Sequence, residues 1–170
     1  SLRNLADAAE LRTRLSAARN VLVVGGGFIG MEFAAVAPGL GVNATVIEGA
    51  ERLMSRAVSD TMSAHFLKYH QGWGTSVRLG QFVSELLEDG AGNVAGARLA
   101  DGSDIAGDIV LIAAGVVPNS ELATDAGLAV SDGIDVDNLL RTSDPNISAL
   151  GDCCNFPDPL SGRRVRLESV

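Results

Sequence analysis

The chain has 170 residues, 46% of them hydrophobic, with 20 glycines and 21 acidic residues against 13 Lys and Arg, a formal net charge of −8. That length holds one full domain, or one domain with part of another, and can bury a substantial core. The acidic balance argues against a nucleic-acid surface, and because Glu32, Pro38 or repeated glycines interrupt the longest apolar stretches, no membrane span or leader segment is expected.

Residues 1–20 read as a lead-in helix, with Asn4 suited to its N-cap, Asp7 to its first turn, and Leu11, Leu15 and Ala18 at helical spacing. Val21 to Val24 is too short for a helix and rich in β-branched residues, which predicts a buried strand. Gly25, Gly27 and Gly30 follow in the order G-x-G-x-x-G. They lead into a helical register in which Ile29, Phe33, Val36 and Ala37 can share one face. Pro38 must end or kink that helix, since it has no N–H to donate. A second apolar run, Val42 to Ile47, closes on Glu48 and completes a βαβ unit.

Each of these positions has a physical task. Gly25 permits the turn out of the strand, Gly27 leaves the backbone bare for a pyrophosphate, and Gly30 lets the helix lie close to the sheet. The helix N-terminus favours phosphates, and Glu48 is placed to accept hydrogen bonds from an adenosine ribose. Arg52 and Arg56 read first as solvated surface charge, although both follow Glu48 closely enough to reach that ribose or a phosphate.

A second helix is expected within residues 51–71, with Val58, Met62, Phe66 and Tyr69 as its buried stripe. Residues 75–79 read as a third, parallel strand. From Gln81 to Ile105 apolar and polar residues alternate around turn signals, which predicts a β-meander in place of a crossover helix. Asp108 to Ala114 reads as another buried strand. Ligands of open α/β sheets lie beyond the carboxyl ends of strands, so Gly115 and Val116 become candidates for contact with a nicotinamide. Ile134–Val136 and Ile147–Leu150 read as short strands, the latter running into Gly151-Asp152. Asp152 is placed either to hydrogen-bond a ligand or to cap a following helix. Cys153 and Cys154 are adjacent, so a disulfide between them is geometrically implausible. Two buried thiols in a reducing cytoplasm are expected. With only His65 and His70, no metal site of recognisable spacing can be assembled.

The fold class expected is α/β, a Rossmann-like parallel sheet with a β-meander crossover. The domains expected are a lead-in helix over 1–20, an NAD-binding domain over 21–130, and a segment over 131–170 that the resemblance described next implies to be a return into a truncated FAD-binding domain.

Five segments together resemble the two-dinucleotide flavoprotein reductases, in particular the ferredoxin and rubredoxin reductase branch. They are VVGGGFIGMEFAA (residues 23–35), VIE (46–48), IAAGVVPNSELA (112–123), TSDPNISALGDC (142–153) and RVRLESV (164–170). The resemblance implies that NADH passes hydride to FAD, and that electrons then leave singly to a ferredoxin or rubredoxin. It implies that Gly25, Gly27 and Gly30 hold the NAD pyrophosphate, that Glu48 holds its ribose, and that Phe28, with Ile29 beside it, gates the nicotinamide pocket. Glu32 matches a catalytic acid near nicotinamide and flavin, Asp152 the aspartate on the flavin ribityl chain, and Val170 a position close to the flavin ring. Arg164 departs from the pattern, some relatives carrying an aromatic residue there.

No second G-x-G-x-x-G occurs in the 170 residues. An excised NAD domain is therefore expected, one that retains no FAD and is inactive by itself. Two other functions stand beside the reductase. They are a stand-alone NAD-sensing module and a simple NAD-dependent dehydrogenase; against the latter, no His, Tyr-Lys pair or Lys stands where general acid–base work would require it.

Overall fold

In the computed structural model, which describes residues 2–168, the first apolar run forms β1 (Asn20–Val24) at the interior of a four-stranded parallel sheet. Its neighbours are β2 (Asn43–Ile47) on one side and β7 (Ile109–Ile112) on the other, and β3 (Ser76–Arg78) lies outside β2. Val21, Leu22 and Val23 are all buried. A parallel strand covered on both faces reads as a continuous apolar run for this reason, and each fully buried aliphatic side chain contributes about 1.5–3 kcal/mol. Between β3 and β7 the chain makes an antiparallel meander of β4 (Val83–Glu88), β5 (Val94–Leu99) and β6 (Asp104–Ala106). Asp108 then ties the entry of β7 to that of β1, accepting the N–H groups of Arg19 at 2.7 Å and Asn20 at 2.8 Å. Those two bonds hold its carboxyl below the usual range.

The helices of this unit are α1 (Leu5–Ala17), α2 (Phe28–Val36) and α3 (Asp60–Gly72). Asn4 caps α1 through the N–H of Asp7, at 2.9 Å. Pro38 stands in a 3-10 turn, Ala37–Leu40, that ends α2.

Two helical faces differ from those expected. The buried residues of α2 are Gly30, Met31 and Ala34, whereas Ile29 and Val36 are exposed. The reason is Gly30: a Cβ there would collide with the carbonyl oxygen of Gly25, so Gly30 must face the sheet and sets the rotation of the helix. On α3 the stripe is Ser63, Phe66, Leu67 and His70, not the row containing Met62 and Tyr69, which are 44% and 50% exposed. The buried hydroxyl of Ser63 donates to the Leu53 carbonyl at 2.8 Å and anchors that face. The strand expected over 108–114 is shorter and only half-buried, with Ile112 66% exposed, because β7 is an edge of the sheet.

A second compact unit begins at Val116, earlier than the boundary expected at residue 131. It holds α4 (Glu121–Asp125), β8 (Val130–Ser131), β9 (Gly133–Asp135), β10 (Cys154–Pro157) and β11 (Arg164–Val165). Its sheet runs β11-β10-β9-β8, with β9 and β10 parallel. The strand expected at Ile147–Leu150 is absent. There the chain folds back from a turn in which Ile147 N–H donates to the Asp144 carbonyl, leaving one isolated bridge between Arg141 and Ser148. The pairing strand is β10 instead. Asp152 runs almost directly into β10, and among the described residues no helix follows it, which excludes the capping role for it. Cys154 is buried in a small core with Val136 and Ala149, and burial pushes its thiol up, whereas Cys153 is half-buried. Among the described residues no helix is long and apolar enough to cross a membrane.

Candidate functional site

The carboxyl ends of β1, β2 and β7 meet at the glycine run. Gly25 continues the pairing of β1, donating its N–H to Ile47 at 2.8 Å, and then adopts a φ of +109°. A side chain there would strike the Ala113 carbonyl. Gly30 packs on Gly25 in the same manner. Gly27 is different. It is the N-cap of α2, has an extended φ of −79°, makes no side-chain cap, and a Cβ on it would meet nothing within 4 Å. The protein itself therefore leaves room at Gly27, in front of the first turn of a helix whose N-terminal end carries roughly half a positive charge. A pyrophosphate fits that combination of bare backbone, open space and positive potential.

Glu48 lies at the end of β2 and is half-buried. Its Oε2 accepts the N–H of Gly26 at 2.5 Å, and its Oε1 accepts that of Ala50 at 2.7 Å. An ionised carboxylate has about four acceptor sites, so one on each oxygen remains for the vicinal hydroxyls of a ribose.

On α2, Phe28 is half-buried and packs against the core of the first unit. Ile29 and Glu32, three residues apart on the same helical face, are both exposed. Arg56 is exposed, and its Nη2 comes within 4.0 Å of the place a Cβ on Gly115 would occupy; Gly115 itself has a φ of +113°. Arg52 is not available to a ligand in the way Arg56 is: its Nη1 and Nη2 donate to the carbonyls of Val58 and Ser55, and its Nε pairs with Asp60.

The first unit thus brings together Gly25, Gly27, Gly30 and Glu48, with Ile29 and Glu32 on the exposed face of α2 and Arg56 beside Gly115. Val116 and Asp152 belong to the second unit, where both are exposed. Asp152 lines an apolar cavity of about 290 Å³ together with Leu140, Leu150, Gly151, Cys154, Phe156 and Leu167. For FAD the fit is partial: the second unit offers this cavity and its carboxylate, and these 170 residues contain no second G-x-G-x-x-G for the flavin pyrophosphate. Arg164 is engaged with Val136 O, Asn155 O and Asp135. Val170 lies outside the described residues.

Sequence reasoning missed Gly26, Leu53 and Met54. A Cβ on Gly26 would stand 2.6 Å from Leu53 Cδ2 and 3.1 Å from Glu48 Oε2, and its carbonyl accepts the Met54 N–H at 2.9 Å. Three consecutive glycines were the available signal, since the fingerprint itself leaves the middle position open.

The whole chain, residues 1–170, matches the pyridine nucleotide-disulphide oxidoreductase family. It belongs to that family. Rhodocoxin reductase of Rhodococcus erythropolis is 43% identical over 169 residues, taking in 99% of this chain and 39% of that protein. The crystal structure of a ferredoxin reductase from Rhodopseudomonas palustris superposes with a TM-score of 0.92 at 41% identity, over 98% of this chain and 41% of that one. A putidaredoxin reductase, solved in covalent complex with putidaredoxin, gives 0.90 at 37% identity, over 99% of this chain and 40% of that one. The expected resemblance to the ferredoxin reductase branch of the family is borne out. The chain spans about two fifths of the length of the curated relatives it matches.

Proposed function

We propose that the first unit is the NADH-binding domain of an FAD-dependent reductase that serves a ferredoxin or rubredoxin, and that the second unit is the return into its FAD-binding domain. The observation that carries this reading is the joined pair of Glu48 and the glycine turn, an acid with spare acceptor sites fixed beside an uncapped helix start. Gly25, Gly27 and Gly30 bring the backbone up to the pyrophosphate, and Glu48 accepts the ribose hydroxyls. Arg56, which stands beside Gly115, is assigned to the ribose or a phosphate. In the second unit, Asp152 is assigned to the flavin ribityl chain. Bound FAD supplies acceptance of a hydride and release of single electrons. Phe28 and Ile29 bound the nicotinamide pocket, and Glu32 orients the carboxamide. Support for an iron–sulfur or rubredoxin-type partner comes from the relatives, one of which was solved with putidaredoxin. The free thiols of Cys153 and Cys154 suit a reducing cytoplasm.

Stopped-flow kinetics of a full-length, FAD-containing reductase that carries this chain test this assignment. Glu32→Ala should slow flavin reduction by NADH while leaving electron transfer to a ferredoxin essentially unchanged. Slowing of only the second step would place Glu32 away from the nicotinamide.

A further inference from the structure

Arg52 follows Glu48 by four residues, yet all of its guanidinium nitrogens are spent on the loop that follows it. Nη2 donates to the Ser55 carbonyl at 2.7 Å, Nη1 to the Val58 carbonyl at 2.8 Å, and Nε lies 2.9 Å from the Asp60 carboxylate. A planar fork with fixed donors suits three separated acceptors in a way an ammonium does not. The segment it encloses touches the glycine turn. Leu53, fully buried, lies against Gly26, and its carbonyl is held from behind by the Ser63 hydroxyl. Met54 takes a left-handed φ of +48°, which a residue with a Cβ seldom adopts, and in that conformation its N–H donates to the Gly26 carbonyl at 2.9 Å.

The Gly26 carbonyl and the Gly27 N–H belong to one planar peptide group. Pinning the carbonyl on Met54 therefore sets the direction of the Gly27 N–H, the donor at the N-cap of α2. Left unsupported, a loop with an unfavourable φ at Met54 would relax and release that peptide.

We propose that Arg52 is a positioning residue that clamps the loop through Ser55, Val58 and Asp60, and so fixes the Gly26–Gly27 peptide for the dinucleotide without touching it. The proposal rests on the reading of this turn as an NADH site, and its test separates the two.

In the purified protein, amide hydrogen exchange and NADH and NADPH dissociation constants are measured for wild type, Arg52→Gln, Arg52→Lys and Asp60→Asn. In Arg52→Gln, exchange at Met54 should speed up at least tenfold by local opening while Val23 in β1 keeps its protection. NADH affinity should fall roughly tenfold, the scale on which a loosened supporting shell acts, and NADPH affinity by the same factor. Arg52→Lys should not rescue either property, and Asp60→Asn, which removes one arm only, should move both in the same direction by less. Unchanged Met54 exchange in Arg52→Gln and Asp60→Asn, or affinity restored by Arg52→Lys as a simple phosphate contact would allow, overturns the clamp. If wild type fails to bind NADH, the dinucleotide reading falls, and Met54 exchange alone still decides whether Arg52 holds the loop.

Discussion

The Glu48 carboxylate accepts the backbone N–H of Gly26 across 2.5 Å, so the acid that ends β2 and the turn that begins α2 form one hydrogen-bonded unit. On the proposed reading, the group that accepts the adenosine ribose hydroxyls also shapes the pyrophosphate cradle. Its removal should be felt in both places.

The first consequence is a preference for NADH. A 2′-phosphate about 4 Å from Glu48 would be opposed by ~4 kcal/mol per unit charge at an effective dielectric near 20. Solvent around this half-buried group reduces that figure, and about 1.4 kcal/mol already corresponds to tenfold. NADH should therefore bind at least tenfold more tightly than NADPH, and Glu48→Gln should narrow the ratio. Glu48→Ala should in addition cost about 1–3 kcal/mol of stability, because the N–H groups of Gly26 and Ala50 lose their acceptor. Comparing both dissociation constants in wild type and Glu48→Gln decides it; a ratio unmoved by the substitution counts against the ribose assignment.

The three fingerprint glycines should separate into two classes. At Gly30 an added methyl runs into the Gly25 carbonyl, an overpacking expected to cost about 1–3 kcal/mol. At Gly27 the same methyl meets open space, so Gly27→Ala should leave stability within about 0.5 kcal/mol of wild type while weakening NADH binding. Thermal melts paired with NADH titrations distinguish the two. Gly27→Ala binding NADH as wild type does would remove the pyrophosphate from that position.

His70 should make stability depend on pH. It is buried on α3 against Trp73, with ring centroids 5.3 Å apart, and among the described residues its Nδ1 has no hydrogen-bond partner. Burial lowers its pKa from 6.5. The unfolded chain therefore binds the proton at a higher pH than the folded one, and the contribution of neutral His70 is fully present above pH 6.5 and lost as pH falls toward the lowered value. Melting curves at pH 7.5 and 5.5 should show a larger drop for wild type than for His70→Gln. Equal drops would mean that His70 does not couple folding to protons.

The glycine turn, Glu48 and the parallel strands were legible because each demands a residue type at a short, fixed spacing. What escaped was set by partners distant in the chain. The rotation of α2 depends on Gly30 meeting Gly25, and the buried face of α3 depends on Ser63 reaching the Leu53 carbonyl, which no apolar periodicity records. In the second unit, Ile147–Leu150 is the more apolar run, but β10 pairs because β9 lies beside it in parallel register. Arg52 reads in the sequence as solvated charge or as a cation in reach of the ribose, because its acceptors at Ser55, Val58 and Asp60 are brought to it only by the fold of the loop.

The most direct test of the account is an amide NMR titration of the purified protein with NADH. Saturable shifts should concentrate at Gly26, Gly27 and Ile29 and at Gly49 and Ala50 beside Glu48, and should collapse in Gly27→Ala. An absence of shifts at these amides at millimolar NADH, or saturable shifts confined to other parts of the chain, would contradict it.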